Sequence, residues 1–372
     1  METVRIGIIG YGKMGSQHAK AFAAGKIPNG VLTAVADCNP ARIAIAKETL
    51  DATIAIFNNA SDLIESGSCD AIIPTVPHYY HPFLAIQAFK AGLHVLCEKP
   101  AGVYAKQVKE MKAVAEKSGK VFGIMLNQRT NPLYQKAREL VRDGSLGRII
   151  HANWIITSWF RAQSYYDSSS WRATWTGEGG GVLLNQNPHN LDLWQWILGM
   201  PSKVKATMYY GKHRSIETED DVFALFEFPD GAIGQYTTTI ADSPGTNRLE
   251  ITGTKGKLVV ENDTLTLHVL QEDTDDFNER FKGEIGQPKS EIQHIAVEGV
   301  YTSHPGIITN FCNAILKQEP LIAPGEDGLA SLAISNAMHL SSWTDESWVD
   351  IPCDDEVFCS FLEQKCGGQL PV

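Results

Sequence analysis

Short apolar runs alternate with amphipathic stretches along the first third of the chain. The runs are rich in valine, isoleucine and alanine, as in VRIGIIG, VLTAVAD, DAIIPTVP and HVLCEKP. Strands that are apolar on both faces and separated by helical segments are typical of a parallel sheet covered by helices on both sides. The pattern therefore predicts an α/β fold that begins with a doubly wound, Rossmann-type domain over residues 1–126.

The hydrophobic pattern changes after Leu126. A predicted helix, PLYQKARELVRDG, is followed by strands with turn signals between them, among them KVKATMYYG, DVFALFEF and RLEITGT. Hairpin turns are expected at residues 229–231 (PDG) and 254–256 (TKG). We expect an α+β domain over residues 127–352 with a large, mainly antiparallel sheet, a late helix GLASLAISNAMHLSSW and a short strand WVDIP. Residues 353–372 show no clear periodicity of hydrophobic positions and are assigned as a tail.

Composition and charge exclude several classes of function. A chain of 372 residues exceeds what one hydrophobic core usually organises, which agrees with two domains. The net charge of −11 argues against nucleic-acid binding, because that binding depends on Lys and Arg side chains that neutralise the phosphate groups. The seven cysteines lack CxxC spacing, so a reducing compartment is expected rather than a disulfide framework or a zinc site. With no leader pattern and no long apolar run, we expect a cytoplasmic protein with no membrane partner.

The segment IGIIGYGKMG places Gly10, Gly12 and Gly15 in GxGxxG spacing between a predicted strand and a predicted helix. This spacing allows a tight turn and brings bare backbone to a pyrophosphate at the positive end of a helix. A glycine-rich turn in an ordinary βαβ unit is the alternative. The second strand ends in Asp37, where a carboxylate can bind a ribose 2′-hydroxyl and repel a 2′-phosphate. We therefore predict NAD in preference to NADP.

The run HVLCEKP ends an apolar strand with Glu98 and Lys99. In open α/β sheets the carboxyl ends of strands face the ligand crevice, so Lys99 can point into a site. There its ammonium can hydrogen-bond a substrate hydroxyl and favour the alkoxide. A surface lysine in a loop after a strand is the alternative interpretation.

The segment GGGVLLNQNPHNLD raises a second candidate. If it is helical throughout, Val182, Asn185, His189 and Asp192 share one face, and such a stripe on an apolar helix must face water, a partner or a cleft. Alternatively, Asn187 caps a fresh helix that starts at Pro188. An imidazole suits proton transfer near neutral pH, and a histidine satisfied within the core is the competing interpretation.

Together these motifs resemble the Gfo/Idh/MocA family of sugar and cyclitol oxidoreductases, named for glucose-fructose oxidoreductase and inositol dehydrogenase. The resemblance rests on the glycine fingerprint and on residues 75–81 (TVPHYYH), 91–100 (AGLHVLCEKP) and 179–199 (GGGVLLNQNPHNLDLWQWILG), and runs from residue 4 to about residue 352. It implies that His189 and Lys99 lie beside the nicotinamide, with His189 as general base and Lys99 polarising the same oxygen.

The resemblance also implies a set of cofactor contacts and shows one departure. The expected cofactor-binding residues are Gly10, Tyr11, Gly12, Lys13, Met14, Asp37, Val76, Glu98 and Lys99. Many members of the family have an aspartate four residues before the histidine, where this chain has Asn185. An amide cannot accept a proton in that role, so within the catalytic set we assign Asn185 to substrate positioning.

Aromatic and cationic side chains crowd the segment between Trp154 and Trp175. Aromatic faces stack on sugar rings, and arginines donate to hydroxyls, although a loop cluster that only packs is the alternative. The substrate-binding candidates are Lys99, Trp159, Arg161, Trp171, Arg172, Asn185, His189 and, from the resemblance, His304. His78 and His81 have no carboxylate or thiolate companions, so no metal site is predicted.

The sequence thus predicts an NAD(P)-dependent dehydrogenase that transfers a hydride between the nicotinamide and a secondary hydroxyl of a sugar, glycoside or cyclitol. Two alternatives stay open. One is a glycoside-cleaving enzyme that uses transient oxidation without net redox change, and the other is a non-catalytic regulator that senses a sugar or the dinucleotide. An open antiparallel sheet face predicts self-association into a dimer or tetramer.

Overall fold

The computed structural model describes residues 2–371, and the first part of the chain forms a parallel sheet. Its strands are β1 (Val4–Ile9), β2 (Gly30–Ala36), β3 (Ala55–Phe57), β4 (Ala71–Pro74), β5 (His94–Cys97) and β6 (Phe122–Ile124). They lie in the order β3-β2-β1-β4-β5-β6, and every pairing is parallel. This is the strand order of a Rossmann sheet, so the predicted doubly wound fold is confirmed.

Five helices connect these strands: α1 (Lys13–Ala23), α2 (Pro40–Thr49), α3 (Ala60–Glu65), α4 (Tyr80–Lys90) and α5 (Ala105–Ser118). All four residues of β4 are buried, and β1 exposes only Arg5. Because both faces of the sheet are covered, its strands have no side that faces water, which explains their unbroken apolar runs.

The second sheet has nine strands. They are β7 (Ile149–Ile156), β8 (Lys203–Tyr210), β9 (Glu219–Glu227), β10 (Ile233–Thr239), β11 (Asn247–Gly253), β12 (Gly256–Glu261), β13 (Thr264–Leu270), β14 (Ser290–Ile295) and β15 (Val349–Asp350). Their order is β14-β13-β12-β11-β7-β10-β9-β8-β15, and only the β7–β10 pairing is parallel. The predicted, mainly antiparallel sheet is therefore confirmed, with hairpins at both predicted turns.

The helices of this part are α6 (Pro132–Arg142), α7 (Gln163–Asp167), α8 (Val182–Asn185), α9 (Pro188–Leu198), α10 (Thr274–Arg280), α11 (Ser303–Lys317), α12 (Gly328–Trp343) and α13 (Asp355–Lys365), with 3₁₀ turns at Asn127–Thr130 and Gly325–Asp327. The predicted late helix is α12. The tail contains α13, which the sequence pattern did not indicate. No helix within residues 2–371 combines the length and the apolar character that crossing a bilayer requires.

The large sheet buries one face and exposes the other. Along β9, Val222 and Ala224 are buried, whereas Phe223 and Leu225 are 45% and 42% exposed. The buried face packs against α12 and α6, and Trp194 of α9 contacts its aromatic side chains. This alternation is the period of two that a strand with one solvent-facing side requires.

The glycine-rich segment differs from the continuous helix that was one of our expectations. α8 ends at Asn185, and α9 begins at Pro188, so the prediction of one polar stripe along a single helix is wrong and the alternative of a fresh helix is confirmed. The reason is that proline has no N–H group to donate inside a helix but suits the first helical position. The expected cap by Asn187 is wrong, because its side chain bonds to Thr238 and Tyr236 instead of the first turn of α9.

Two late helices return to the first sheet. Phe311 and Cys312 of α11 and Phe358 and Leu362 of α13 belong to the same buried cluster as the strands of the parallel sheet. A second cluster lies between the large sheet and α6, α9 and α12. Helix α12 contributes side chains to both clusters, among them Leu332 to the first and Ile334 to the second.

Candidate active site

In the glycine-rich loop between β1 and α1, two glycines have no room for a side chain, whereas the third faces open space. A side chain at Gly10, which has φ of +97°, would collide with Thr75, and one at Gly15 would collide with the carbonyl oxygen of Gly10. Gly12 instead has open space around the position of an added Cβ. It precedes α1 without any side-chain cap, so backbone N–H groups remain available there. This loop fits a dinucleotide pyrophosphate.

Asp37 lies at the carboxyl end of β2, beside this loop. Its carboxylate accepts the backbone N–H of Tyr11 at 2.6 Å and that of Asn39 at 2.8 Å. Together with Cys38, Lys47 and their neighbours it lines a pocket on the surface. The position suits the ribose contact that the sequence predicts.

The other predicted cofactor residues surround the same region. Lys13 is exposed and Met14 is half-buried in the first turn of α1. Val76 follows β4, and its carbonyl oxygen lies 2.8 Å from Nε2 of His81. These three residues therefore border the mouth of the glycine loop and the end of the neighbouring strand.

Glu98 is buried at the end of β5 and is paired with a histidine. Its Oε1 lies 2.7 Å from Nε2 of His18, and its Oε2 accepts the backbone N–H of Lys99 at 3.1 Å. Burial opposes its ionisation, but the hydrogen bond to His18 and the nearby cations hold the pKa of Glu98 at about 2. The carboxylate is thus charged and fixes the start of the loop that carries Lys99.

Lys99 reaches from the first domain to the second. Its Nζ donates to the main-chain carbonyl oxygen of Asn185 at 2.8 Å. Burial lowers the pKa of Lys99, while the negative charges of Glu98 and Glu178 oppose that shift. Of its three ammonium protons, this contact uses one, so the group can still donate to a ligand.

His189 stands in the first turn of α9. Its Nδ1 is buried and has no hydrogen-bond partner among residues 2–371. Burial, together with the positive charge of Lys99, lowers the pKa of His189 to about 3. The ring is therefore neutral at neutral pH, and the two groups are close enough for the charge on one to act on the other.

The side chain of Asn185 is held by Glu178. Its Nδ2 donates to Oε1 of Glu178, and its Oδ1 lies 3.4 Å from the hydroxyl of Tyr165. Glu178 is fully buried and also accepts the backbone N–H of Ala173 at 2.7 Å. Burial raises the pKa of Glu178 to about 7, although its hydrogen bonds and nearby cations oppose the rise. A titratable carboxyl group thus lies beside Asn185, which is itself an amide.

The aromatic segment gathers two arginines around Tyr165. The guanidinium of Arg172 lies 4.4 Å from the Tyr165 ring centroid and 4.9 Å from that of Trp171, and its Nη1 donates to the Tyr165 hydroxyl at 2.6 Å. Arg161 lies 5.4 Å from the Tyr165 centroid and 5.5 Å from that of Trp159. The four substrate candidates of this segment therefore form one cluster, which Tyr165 connects to Asn185.

His304 lies at the start of α11, next to the Glu98–His18 pair. Its ring centroid is 5.6 Å from that of His18, and its Nδ1 is 3.2 Å from the hydroxyl of Ser303. Burial lowers the pKa of His304, and the charge of Glu98 opposes this. The structure thus places His304 on the Glu98 side of the site.

The arrangement can carry out proton transfer at a hydroxyl group. A neutral imidazole can accept a proton, and an ammonium with free donors can stabilise the negative charge left on oxygen. The glycine loop follows β1 and Lys99 follows β5, so both lie at the carboxyl ends of the parallel strands, where open α/β sheets bind their ligands. Redox chemistry at the carbinol carbon additionally requires a hydride acceptor, which a bound dinucleotide supplies.

Two buried glutamates were not among the sequence-derived candidates. Glu178 holds Asn185, and Glu219 accepts the backbone N–H groups of Gly181 at 2.8 Å and Leu183 at 2.9 Å, at the start of α8. Glu178 carried a usable signal, because a charged residue directly before three glycines and a functional helix is unusual. Glu219 lies far away in sequence and had no local signal.

Models of one protein family match both parts of the chain. The oxidoreductase family with an NAD-binding Rossmann fold matches residues 4–126. The GFO/IDH/MocA C-terminal domain matches residues 134–259. The order of the two matches is the order of the two sheets described above.

Individual relatives align over most of their length. Levoglucosan dehydrogenase of Pseudarthrobacter phenanthrenivorans is 25% identical, over 95% of this chain and 99% of that protein. Myo-inositol 2-dehydrogenase of Thermotoga maritima is 25% identical, over 90% of this chain and 95% of that protein. The crystal structure of the WlbA dehydrogenase of Bordetella pertussis, in complex with NADH and UDP-GlcNAcA, superposes with a TM-score of 0.79 at 26% identity, over 95% of this chain and all of that chain. The motifs, the fold and the matches agree, and the chain belongs to the Gfo/Idh/MocA family of NAD-binding oxidoreductases.

Proposed function

We propose that the protein is an NAD-dependent dehydrogenase that oxidises a secondary hydroxyl of a sugar, glycoside or cyclitol. The observation that carries the proposal is the approach of Lys99 to the segment that bears Asn185 and His189, with Nζ 2.8 Å from the Asn185 carbonyl oxygen. The names of the two aligned relatives, dehydrogenases of levoglucosan and myo-inositol, support this substrate class.

In the proposed reaction His189 accepts the proton of the substrate hydroxyl. Lys99 donates a hydrogen bond to the same oxygen and so stabilises the negative charge that develops on it. Bound NAD supplies the acceptor for the hydride that leaves the carbinol carbon. Asn185 orients the substrate with its side chain, and its main-chain carbonyl keeps the ammonium of Lys99 in place.

The loop geometry supports a proposed set of cofactor contacts. Gly12 lets the pyrophosphate approach the N-terminus of α1, and Asp37 binds the ribose hydroxyls. Because a carboxylate at this point repels a 2′-phosphate, NAD is bound in preference to NADP. Glu98 acts indirectly, since it fixes the backbone of Lys99.

We also propose that the exposed face of the large sheet joins copies of the chain into a dimer or tetramer. Phe223, Thr237 and Ile155 are neighbours across β9, β10 and β7 on this face. Ile155 and Phe223 are 42% and 45% exposed, and an apolar sheet face of this kind is typical of a subunit interface. Light scattering that shows only monomer at micromolar concentration would contradict this.

The proposal also includes domain boundaries at residues 126/127 and 352/353. It places the protein in the cytoplasm. All seven cysteines are free thiols, which supports a reducing compartment. Cell fractionation tests the location, and limited proteolysis tests the boundaries, since cleavage is expected first at exposed connections between units.

Spectrophotometry tests the activity. Monosaccharides, inositols and glycosides are screened with NAD and NADP for the absorbance of reduced nicotinamide. A net dehydrogenase accumulates NADH, whereas an enzyme that uses transient oxidation cleaves a glycoside without accumulation, and a regulator does neither. Absence of NADH with every substrate of these classes contradicts the proposal.

A further inference from the structure

The substrate side of the site holds three cations without carboxylate partners. Lys99, Arg161 and Arg172 form no ion pair within 4.0 Å among residues 2–371. By contrast, the buried guanidinium of Arg129 is paired with Asp192 at 2.6 Å. Arg161 and Arg172 are also close enough to Lys99 for their charges to oppose its protonation. Three positive charges therefore converge here without a counter-ion in contact.

The donors of the two arginines are largely unused. Nε of Arg172 is buried and has no partner among the described residues, and the same holds for Nε1 of Trp159. Arg172 donates from Nη1 to the Tyr165 hydroxyl, and Arg161 donates from Nη1 to the Phe160 carbonyl oxygen. A guanidinium has five N–H donors, so several remain for a ligand, and a buried donor without a partner is costly.

The arginines adjoin the proposed reacting centre. Arg172 reaches the Tyr165 hydroxyl at 2.6 Å, that hydroxyl lies 3.4 Å from Oδ1 of Asn185, and the Asn185 carbonyl oxygen accepts from Lys99 at 2.8 Å. A ligand that contacts Lys99 and extends past Asn185 toward the Tyr165 hydroxyl therefore meets Arg172.

The carboxyl groups of the site do not balance these charges. Glu98 is already paired with His18 at 2.7 Å. Glu178 is buried behind Asn185, and burial raises its pKa to about 7, so it is only partly ionised at neutral pH. Because buried positive charges without a partner are costly, the substrate side of the site favours a ligand that carries a negative charge.

From these contacts we propose that the substrate is an acidic sugar whose carboxylate or phosphate group is bound by Arg172 and Arg161. The inference rests on the proposed function and narrows its substrate class. The aromatic rings of Trp159, Tyr165 and Trp171 hold the guanidinium planes in place, and planar guanidinium groups match the geometry of carboxylate and phosphate oxygens.

The first experiment compares charged sugars with their neutral counterparts. Binding to the NADH-loaded protein is measured by calorimetry for D-glucuronate and D-galacturonate against their amides, and for D-glucose 6-phosphate against D-glucose. We expect the best acid to bind about tenfold to a hundredfold more tightly than its counterpart, and the ratio to shrink with added salt. The uronate and phosphate arms distinguish the two sources of negative charge.

The second experiment removes the positive charges one at a time. Arg172→Gln and Arg161→Gln should each weaken binding of the acid by roughly tenfold more than binding of the neutral counterpart, whereas Arg172→Lys should retain part of the preference. Arg148→Gln is the matched control, because Arg148 is 55% exposed and pairs with Asp275 away from the site. It should leave the preference intact.

Three results would overturn the inference: neutral sugars bound as tightly as acids, a preference that survives both arginine substitutions, or no acid of the panel bound. Failure of the proposed function is a separate result. In that case acids bind in the arginine-dependent way, yet no sugar, acidic or neutral, produces NADH.

Discussion

The ammonium of Lys99 donates to the main-chain carbonyl oxygen of Asn185 at 2.8 Å, and this contact joins the two domains at the site. Lys99 follows a strand of the parallel sheet, and Asn185 ends the short helix α8. Carbonyls in the last turn of a helix lack intrahelical partners, so the break before Pro188 makes this acceptor available. The break between α8 and α9 thus fixes the position of the Lys99 ammonium group.

Removing the proposed base tests the reacting centre. His189→Ala should lower kcat by about 10²- to 10⁴-fold, because the proposed proton acceptor is removed. The dissociation constant for NADH, measured by fluorescence titration, should change little. His151→Ala on an exposed position of β7 is the control. Wild-type kcat in the His189 variant would remove this residue from the mechanism.

Removing the ammonium tests the second partner in the same reaction. Lys99→Met keeps the length of the side chain and removes its charge, and we expect kcat to fall by about 10²-fold or more because the alkoxide loses its donor. Lys90→Met, at the exposed end of α4, serves as the control. Equal losses in both variants would point to a general effect of charge instead.

Two glycines of the loop should respond differently to alanine. Gly12→Ala has open space for the added methyl, so the variant should fold with the wild-type Tm but bind NADH more weakly, because the methyl occupies the approach of the pyrophosphate. Gly15→Ala meets the carbonyl oxygen of Gly10 and should lower Tm. Thermal unfolding and fluorescence titration separate the two effects. Normal NADH affinity in the Gly12 variant would place the pyrophosphate elsewhere.

The preference for NAD should depend on one charge. Asp37→Asn preserves the shape and removes the repulsion of a 2′-phosphate, so the ratio of the dissociation constants for NADP and NAD should fall by roughly tenfold. Asp62→Asn in the neighbouring helix α3 is the control. An unchanged ratio would assign the discrimination to another group.

Glu178 should make stability depend on pH. Burial raises its pKa to about 7, above the ordinary 4.5, so the folded state holds this proton more tightly than the unfolded state. Stability is then greatest below the unfolded pKa and is lost as pH rises through about 7, by up to roughly 3 kcal/mol. Thermal unfolding between pH 5 and 8 should show a smaller loss for Glu178→Gln than for the wild type or the exposed control Glu116→Gln. Parallel curves for all three would refute this.

Asn185→Asp places a second carboxyl group against Glu178. Two carboxylates in contact resist ionising together, so the variant should lose more stability than the wild type as pH rises toward 8. The double variant Asn185→Asp with Glu178→Gln exchanges the two groups and should recover that stability. If the single variant shows no extra pH dependence, the two side chains are not in contact in solution.

Local pattern was enough to predict most elements of the fold. The apolar runs of β1, β2, β4 and β5 could be recognised because parallel strands buried on both faces have few polar positions. The turns at 229–231 and 254–256 carry glycine, which has the freedom that tight hairpins need. The family motifs supplied Lys99 and His189, whose roles remain predictions.

Contacts between distant segments could not be predicted. Asp192 was expected on the polar stripe of the functional helix, but it pairs with Arg129 at 2.6 Å in a buried contact. Glu219 caps the start of α8 from a strand of the large sheet. Helical periodicity predicts which residues share a face of a helix, but it does not predict which side chains of other elements contact that face.

The packing of α13 against the core of the parallel sheet has a consequence for folding during synthesis. Phe358 and Leu362 fill a core whose strands leave the ribosome long before them. Until those residues arrive, the nascent Rossmann sheet displays an apolar patch that chaperones and proteases can recognise. We therefore expect chains truncated before α13 to expose part of the first core and to aggregate or be degraded more readily, even when every residue of the proposed site is present.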